Sequence, residues 1–222
     1  MKNPLESIPQ SATTTNKLAW IRWGIDCLAA VLLLLAAAKF AYFPGDLQFT
    51  NLVQSTVGEN VGWARTVTGL VSAPSIYVLL GITIALAWWM AGWRGAVLAI
   101  LSYLVLWQAE PYLKMIAARP RPSANLVRVF GNSSGFSFPS GFGLIFFSTI
   151  GYLAVLAHQQ LPKATRWVVV TICGVLLLIG GCARIALGAH WLSDIYGAYL
   201  IGFVWTKLLV LVGVQSAEAR TQ

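Results

Sequence analysis

The sequence predicts an all-α, polytopic membrane protein, a bundle of six transmembrane helices. Three observations point there. Only 10% of the residues are charged and 58% are apolar, against about 25% and 45–50% in soluble domains. Mean hydropathy is +0.72. Six apolar runs recur along 222 residues, each near the roughly 20 residues that a helix needs to cross a bilayer. The whole chain, 1–222, reads as one six-span domain.

Residues 1–17 read as a polar N-terminal tail. The run 18–43 follows, and its end, AAAKFAYF, offers small residues of the kind a signal peptidase cleaves. Its apolar stretch exceeds the usual 7–15 residues of a signal core and carries Arg22 and Asp26 near its start, so it reads as a retained anchor. Arg22 and Asp26 stand one helical turn apart and read as an ion pair. Residues 44–70 form a polar connection with apolar residues at roughly helical spacing. They predict an amphipathic helix on the bilayer or capping the bundle, or, more sharply, a lid guiding a substrate.

The runs 71–90 and 93–113 give two spans with almost nothing between them. The second long polar stretch, 114–140, is the place to seek function, because short connections dominate elsewhere and long loops carry chemistry. Spans at 141–160, 165–187 and 192–214 complete the bundle. Most of the tryptophans, such as Trp20, Trp88, Trp93 and Trp167, lie near span ends, as an interfacial aromatic belt requires.

With the N-terminus inside, Lys2, Lys17, Arg22, Arg94, Lys163, Arg166, Arg220 and a snorkelling Lys207 collect on the cytoplasmic side. Lys39, Arg65, Lys114, Arg119, Arg121, Arg128 and Arg184 collect on the other. That orientation holds if the cluster 114–128 and Arg184 serve chemistry rather than topology. The net charge of +8 fits anionic headgroups among the membrane lipids, and no nucleic-acid motif is present. Cys27, Cys173 and Cys182 fall in or beside apolar runs and read as packing residues, without disulfide or metal spacing.

Three clusters carry chemistry. Lys114 is separated by six residues from Arg121-Pro122, where Pro120 and Pro122 impose an extended turn. Pro139-Ser140-Gly141 is a small, flexible, polar entry to the apolar run of the fourth span. Arg184 precedes His190 by six residues, and Asp194 follows one turn later on the same helix face, placed to orient the imidazole. Several cations without nearby acids call for an anionic ligand.

These clusters resemble the three motifs of the type 2 phosphatidic acid phosphatases, or lipid phosphate phosphatases: Lys-x6-Arg-Pro, Pro-Ser-Gly-His and Ser-Arg-x5-His-x3-Asp. The resemblance covers the whole six-span frame. It implies that Lys114, Arg121, Arg184, Ser140 and the Gly141 amide bind phosphate, and that His190 attacks phosphorus with Asp194 fixing its tautomer. No cofactor or metal is implied, since the cations neutralise the developing charge. The expected partners are a lipid phosphate or diphosphate and the surrounding membrane lipids. The expected place is the cell inner membrane, with the site facing the periplasmic or extracellular side.

Two positions depart from the pattern. Ala183 stands in place of Ser, and Phe142 stands in place of the histidine that protonates the leaving group. The other histidine, His158, lies about 24 Å further along the same span at 1.5 Å per residue and cannot substitute. Without a general acid, worth about 10²- to 10⁴-fold, an alkoxide leaves poorly, whereas a phosphate leaves as a stable anion with a last pKa near 6. The expected substrate is therefore preferentially a lipid diphosphate such as a polyprenyl diphosphate. Glu110 reads mainly as the partner of a basic residue and secondarily as a proton source. A non-catalytic or impaired lipid-phosphate binder and a lipid phosphotransferase stay open as alternatives.

Overall fold

The computed structural model describes residues 10–131 and 133–214, and all regular structure among them is helical. Lys2 and Arg220, both assigned above to the cytoplasmic side, lie outside the described residues, as do residues 1–9 of the expected tail.

Helix α1 (Gln10–Ala37) starts within the stretch expected to be a polar tail and stops short of residue 43. Its early end has a structural cause. The Phe40 carbonyl accepts from Arg119 Nε at 3.0 Å, and the Phe43 amide donates to Asp46 Oδ2 at 2.8 Å, so these backbone groups serve the site instead of another helical turn.

The connection 44–70 contains α2 (Asp46–Val57) and α3 (Gly62–Gly69), both packed against α7 (Lys163–Ala186). On α2 the buried face is polar, formed by Asp46, Thr50 and Gln54 at successive turns, while Leu52 is 61% exposed. That reverses the arrangement of a helix floating on lipid. Gln54 Nε2 donates to the carbonyls of Arg128 (2.7 Å) and Ala186 (3.2 Å), and its Oε1 accepts from the Arg128 amide (3.0 Å). The segment braces the 114–140 loop against the end of α7.

Helix α4 spans Ser75–Ala117, and its 43 residues would reach about 65 Å if straight, twice the hydrocarbon core. Gly92, at φ +66°, breaks it in the gap left between the apolar runs. This left-handed conformation suits only a residue without Cβ. Gly95 consequently packs against the carbonyl of Ala87, which in a continuous helix would stand about 12 Å away.

The next apolar run is built from α5 (Gly141–Phe146), a π-helical turn (Phe147–Gly151) and α6 (Tyr152–Gln160). It is the centre of the bundle, packed against α4, α7 and α8 (Leu192–Gly213). The buried hydroxyls of Ser148 and Thr149 bond back to carbonyls of the preceding turn, and Tyr152 donates to Gly95 O at 2.6 Å. In hydrocarbon each such group needs an internal partner. Helices α7 (Lys163–Ala186) and α8 (Leu192–Gly213) follow, and α1 packs on α8.

Asp26 does not pair with Arg22 as expected. Lys207 of α8 reaches it at 2.6 Å, so Lys207 is not snorkelling to a headgroup but neutralising a carboxylate of α1. An acid among apolar spans is held most cheaply by a facing cation. Among the described residues, five helices are long and apolar enough to cross a membrane, the longest being the one broken at Gly92. The chain is a multi-pass membrane protein.

Candidate active site

The last turn of α4, which takes in Lys114 and so shortens the expected loop 114–140 to 118–140, converges with that loop, the start of α5 and the α7–α8 turn at one end of the bundle. Gly188, at φ +63°, lets the α7–α8 turn pass so close to the carbonyl of Arg128 that any Cβ would collide with it. His190 follows, 1% exposed. Asp194 lies in the first turn of α8, where it accepts from the Trp191 amide at 2.8 Å and so ties down the helix start. Its Oδ2 stands 3.5 Å from His190 Nδ1. Ser137 Oγ donates to the same oxygen and lies 3.4 Å from Nδ1.

Behind this pair is an arrangement that motif reading missed. Arg119 donates from Nη1 to Asp194 Oδ1 at 2.6 Å and to Ser193 Oγ at 2.7 Å, and from Nη2 to Asp46 Oδ2 at 3.2 Å. Its side chain is fully shielded from solvent. Asp46 in turn accepts from the amide and hydroxyl of Ser193 at 2.9 and 2.6 Å. Arg119 therefore locks Asp194 and is no free cation. The signal in the sequence was Asp46 itself, an acid in a polar stretch otherwise lacking one before Glu59.

Arg121, two residues later, points the other way. Its Nη1 donates to Ala189 O at 2.8 Å and lies 3.2 Å from His190 Nε2, while Nε and Nη2 hold the Ser134 carbonyl. Arg184 stacks its guanidinium 5.8 Å over the Phe142 ring, and its buried Nε has no hydrogen-bond partner among the described residues. Such an orphaned donor calls for an acceptor that is absent from the protein itself.

Lys114 corrects the expectation of cations without acids. It pairs with Glu110 at 2.8 Å, one turn back on α4. The Glu110 carboxylate also lies directly on Gly141, where a methyl group would collide with it. Ser140 caps α5, its Oγ accepting from the Gly143 amide at 3.2 Å, and its own amide donates to Asp194 O at 3.2 Å. Contacts thus run from Lys114 through Glu110, Gly141, Ser140 and Asp194 to His190 and Arg121. Phe142 is buried, stacked on Phe146 at 5.0 Å.

Burial pushes the His190 imidazole down to about 4; contact with Asp194 opposes this, and the nearby Arg184 and Arg121 charges reinforce it. The ring is neutral at neutral pH, with Nδ1 turned to a carboxylate and Nε2 towards Arg121. Arg121 is itself lowered by burial, against the pull of Asp194 and Glu110. A cavity of about 370 Å³ lined by Arg121, Ser134 and Gly188 opens beside them. Among the described residues, no cluster of His, Cys, Asp or Glu is arranged to hold a metal ion.

Residues 93–217, which contain all three motif clusters, match the family model of the PAP2 superfamily. No curated protein matches the chain. Among solved structures, the chain is similar to a transmembrane PAP2-type phosphatidylglycerolphosphate phosphatase from Bacillus subtilis. The TM-score is 0.64 at 20% identity, covering 82% of this chain and 92% of that one. At this identity the likeness establishes a shared fold.

Proposed function

The chain belongs to the PAP2 superfamily, and on that premise we propose that it is an integral-membrane lipid phosphatase acting on a lipid phosphate or diphosphate through a phosphohistidine at His190. One observation carries the reading: a neutral, buried imidazole turns Nδ1 to Asp194 and offers Nε2 beside Arg121. A proton on Nδ1, facing the carboxylate, leaves the Nε2 lone pair for attack.

Arg121 and the unpartnered Arg184 take the phosphate oxygens, with Lys114, the Ser140 hydroxyl and the Gly141 amide completing the cradle. As the N–P bond forms, Asp194 holds the imidazolium, and Arg119 and Ser137 hold Asp194. Water then releases phosphate. The charge that grows on the phosphoryl oxygens meets fixed cations in a buried site, where such preorganisation is worth most.

Phe142 offers no proton. For the machinery of the three motifs alone, a lipid diphosphate, which leaves as a phosphate anion, is the easier substrate. We place the site on the periplasmic or extracellular side of the inner membrane, because the cation cluster then serves chemistry and the remaining basic residues satisfy the charge bias.

The test is phosphate release from a panel of lipid mono- and diphosphates by the detergent-purified chain, with acid quenching to trap labelled phosphate on the protein. Acid-labile, base-stable label on His190 together with turnover is the expected result. Lipid-phosphate binding without any turnover would instead make the protein a non-catalytic binder.

A further inference from the structure

We propose that Glu110 is the proton donor to the leaving group, doing from α4 what Phe142 cannot do from α5. The inference builds on the phosphatase reading above. Its ground is the contact between the Glu110 carboxylate and Gly141, the glycine of the anion cradle. A phosphate bound on the Gly141 amide comes into hydrogen-bond reach of that carboxyl, where a general acid has to stand.

The surroundings agree. The Glu110 side chain is 25% exposed, enough to exchange its proton with water. One turn on, Leu113 packs against the cluster of Leu106, Leu144 and Ala198, and α4 packs against α5, so this stretch of α4 lies along the helix that Ser140 caps. Ala109 and Leu113 also line an apolar groove of about 350 Å³ formed with α1 and α8. Glu110 thus stands between a groove suited to a hydrocarbon chain and the phosphate cradle, on the side from which the lipid-bound oxygen arrives. Phe142, by contrast, is stacked on Phe146 with Arg184 over its face.

Lys114 holds the carboxylate at 2.8 Å. A phosphate entering there gives Lys114 a new counter-ion, and Glu110 serves in its acid form. His190 Nε2 then forms the bond to phosphorus as the bond to the leaving oxygen breaks, and that oxygen takes the Glu110 proton. The product leaves as an alcohol or a lipid monophosphate, with phosphohistidine and the Glu110 carboxylate remaining. In the second half, water gives its proton to Glu110 as its oxygen bonds phosphorus and the P–N bond breaks. Phosphate is released and the acid form of Glu110 is restored.

The experiment uses the full chain in detergent, unchanged and as Glu110→Gln, Phe142→His and the double variant. Substrates are phosphate monoesters with leaving groups of graded basicity, plus a prenyl diphosphate. Glu110→Gln should lower turnover of the most basic monoesters about 10²- to 10⁴-fold and steepen the dependence on leaving-group basicity. It should change the diphosphate rate far less and leave vanadate inhibition in place. Adding Phe142→His to Glu110→Gln should restore the shallow dependence, while Phe142→His alone should add little. Loss of vanadate inhibition, or an equal loss on every substrate, would make Glu110 a positioning residue and overturn the proposal. Undiminished monoester turnover by Glu110→Gln would overturn it alone, whereas no turnover by the unchanged protein would remove the phosphatase reading with it.

Discussion

Arg119 Nη1 lies 2.6 Å from Asp194 Oδ1, and neither side chain is accessible to solvent. Removing one member of such a pair leaves a buried charge without a partner, at a cost of about 3–5 kcal/mol. Arg119→Leu should therefore lower the unfolding free energy in detergent by that amount, and Asp46→Asn should cost less because Asp194 still neutralises the guanidinium. Equal, small effects from both variants would show that the cluster does not hold the site together.

The nucleophile makes a separate prediction. His190→Ala should abolish phosphate release and protein labelling while the purified chain stays folded by circular dichroism. Asp194 keeps Arg119, Ser137 and the Trp191 amide in that variant, so the cap on α8 survives. Turnover at a comparable rate would eliminate the phosphohistidine route.

A third test compares three arginines. Lysine keeps the charge of Arg121 or Arg184 but loses the forked donor geometry, so either exchange should cut turnover and weaken vanadate inhibition at least tenfold. Arg128 donates to the backbone of Gln54 and faces Phe130 instead, so Arg128→Lys should leave vanadate inhibition nearly unchanged. Similar losses at all three positions would reduce the cluster to a general headgroup patch.

The imidazole itself can be titrated. With His158→Gln the chain holds a single histidine, and its ring proton resonance should shift with a midpoint near 4 rather than near 6.5. Between those values the unfolded chain binds the proton and the folded chain does not. The contribution to stability is thus complete above pH 6.5 and is lost as pH falls towards 4. A midpoint near 6.5 would mean that the ring is hydrated and not poised as a neutral nucleophile.

Local features of this chain were readable in the sequence, and distant ones were not. The starts of α5 at Gly141 and α8 at Leu192, and the break at Gly92, follow from hydropathy and glycine placement, which depend on neighbours in the chain. The motif residues were found from short spacings, and the structure sets His190 beside Arg121 and Asp194. Arg119 and Arg121 look alike in RPRP, yet one is a buried strut and the other faces the cavity; regular extended backbone would put residues two apart on one face, so their divergence, and the place of Asp46 beside Arg119, come from the fold and not from the spacing. The inward polar face of α2 was likewise hidden, because helical periodicity shows that two faces differ without showing which one meets the bundle.

The ion pair between Asp26 and Lys207 also orders events during synthesis. The two residues are 181 positions apart, and at about 5–20 residues per second the ribosome needs roughly 10 to 40 s to make the stretch between them. Throughout that interval α1 carries a carboxylate whose partner in the fold has not yet been translated. Helix α1 can dock in its final place only after α8 arrives, so a span made well before α8 settles with it, and a ribosome stalled before Lys207 leaves a nascent chain in which α1 is still open to quality-control proteases.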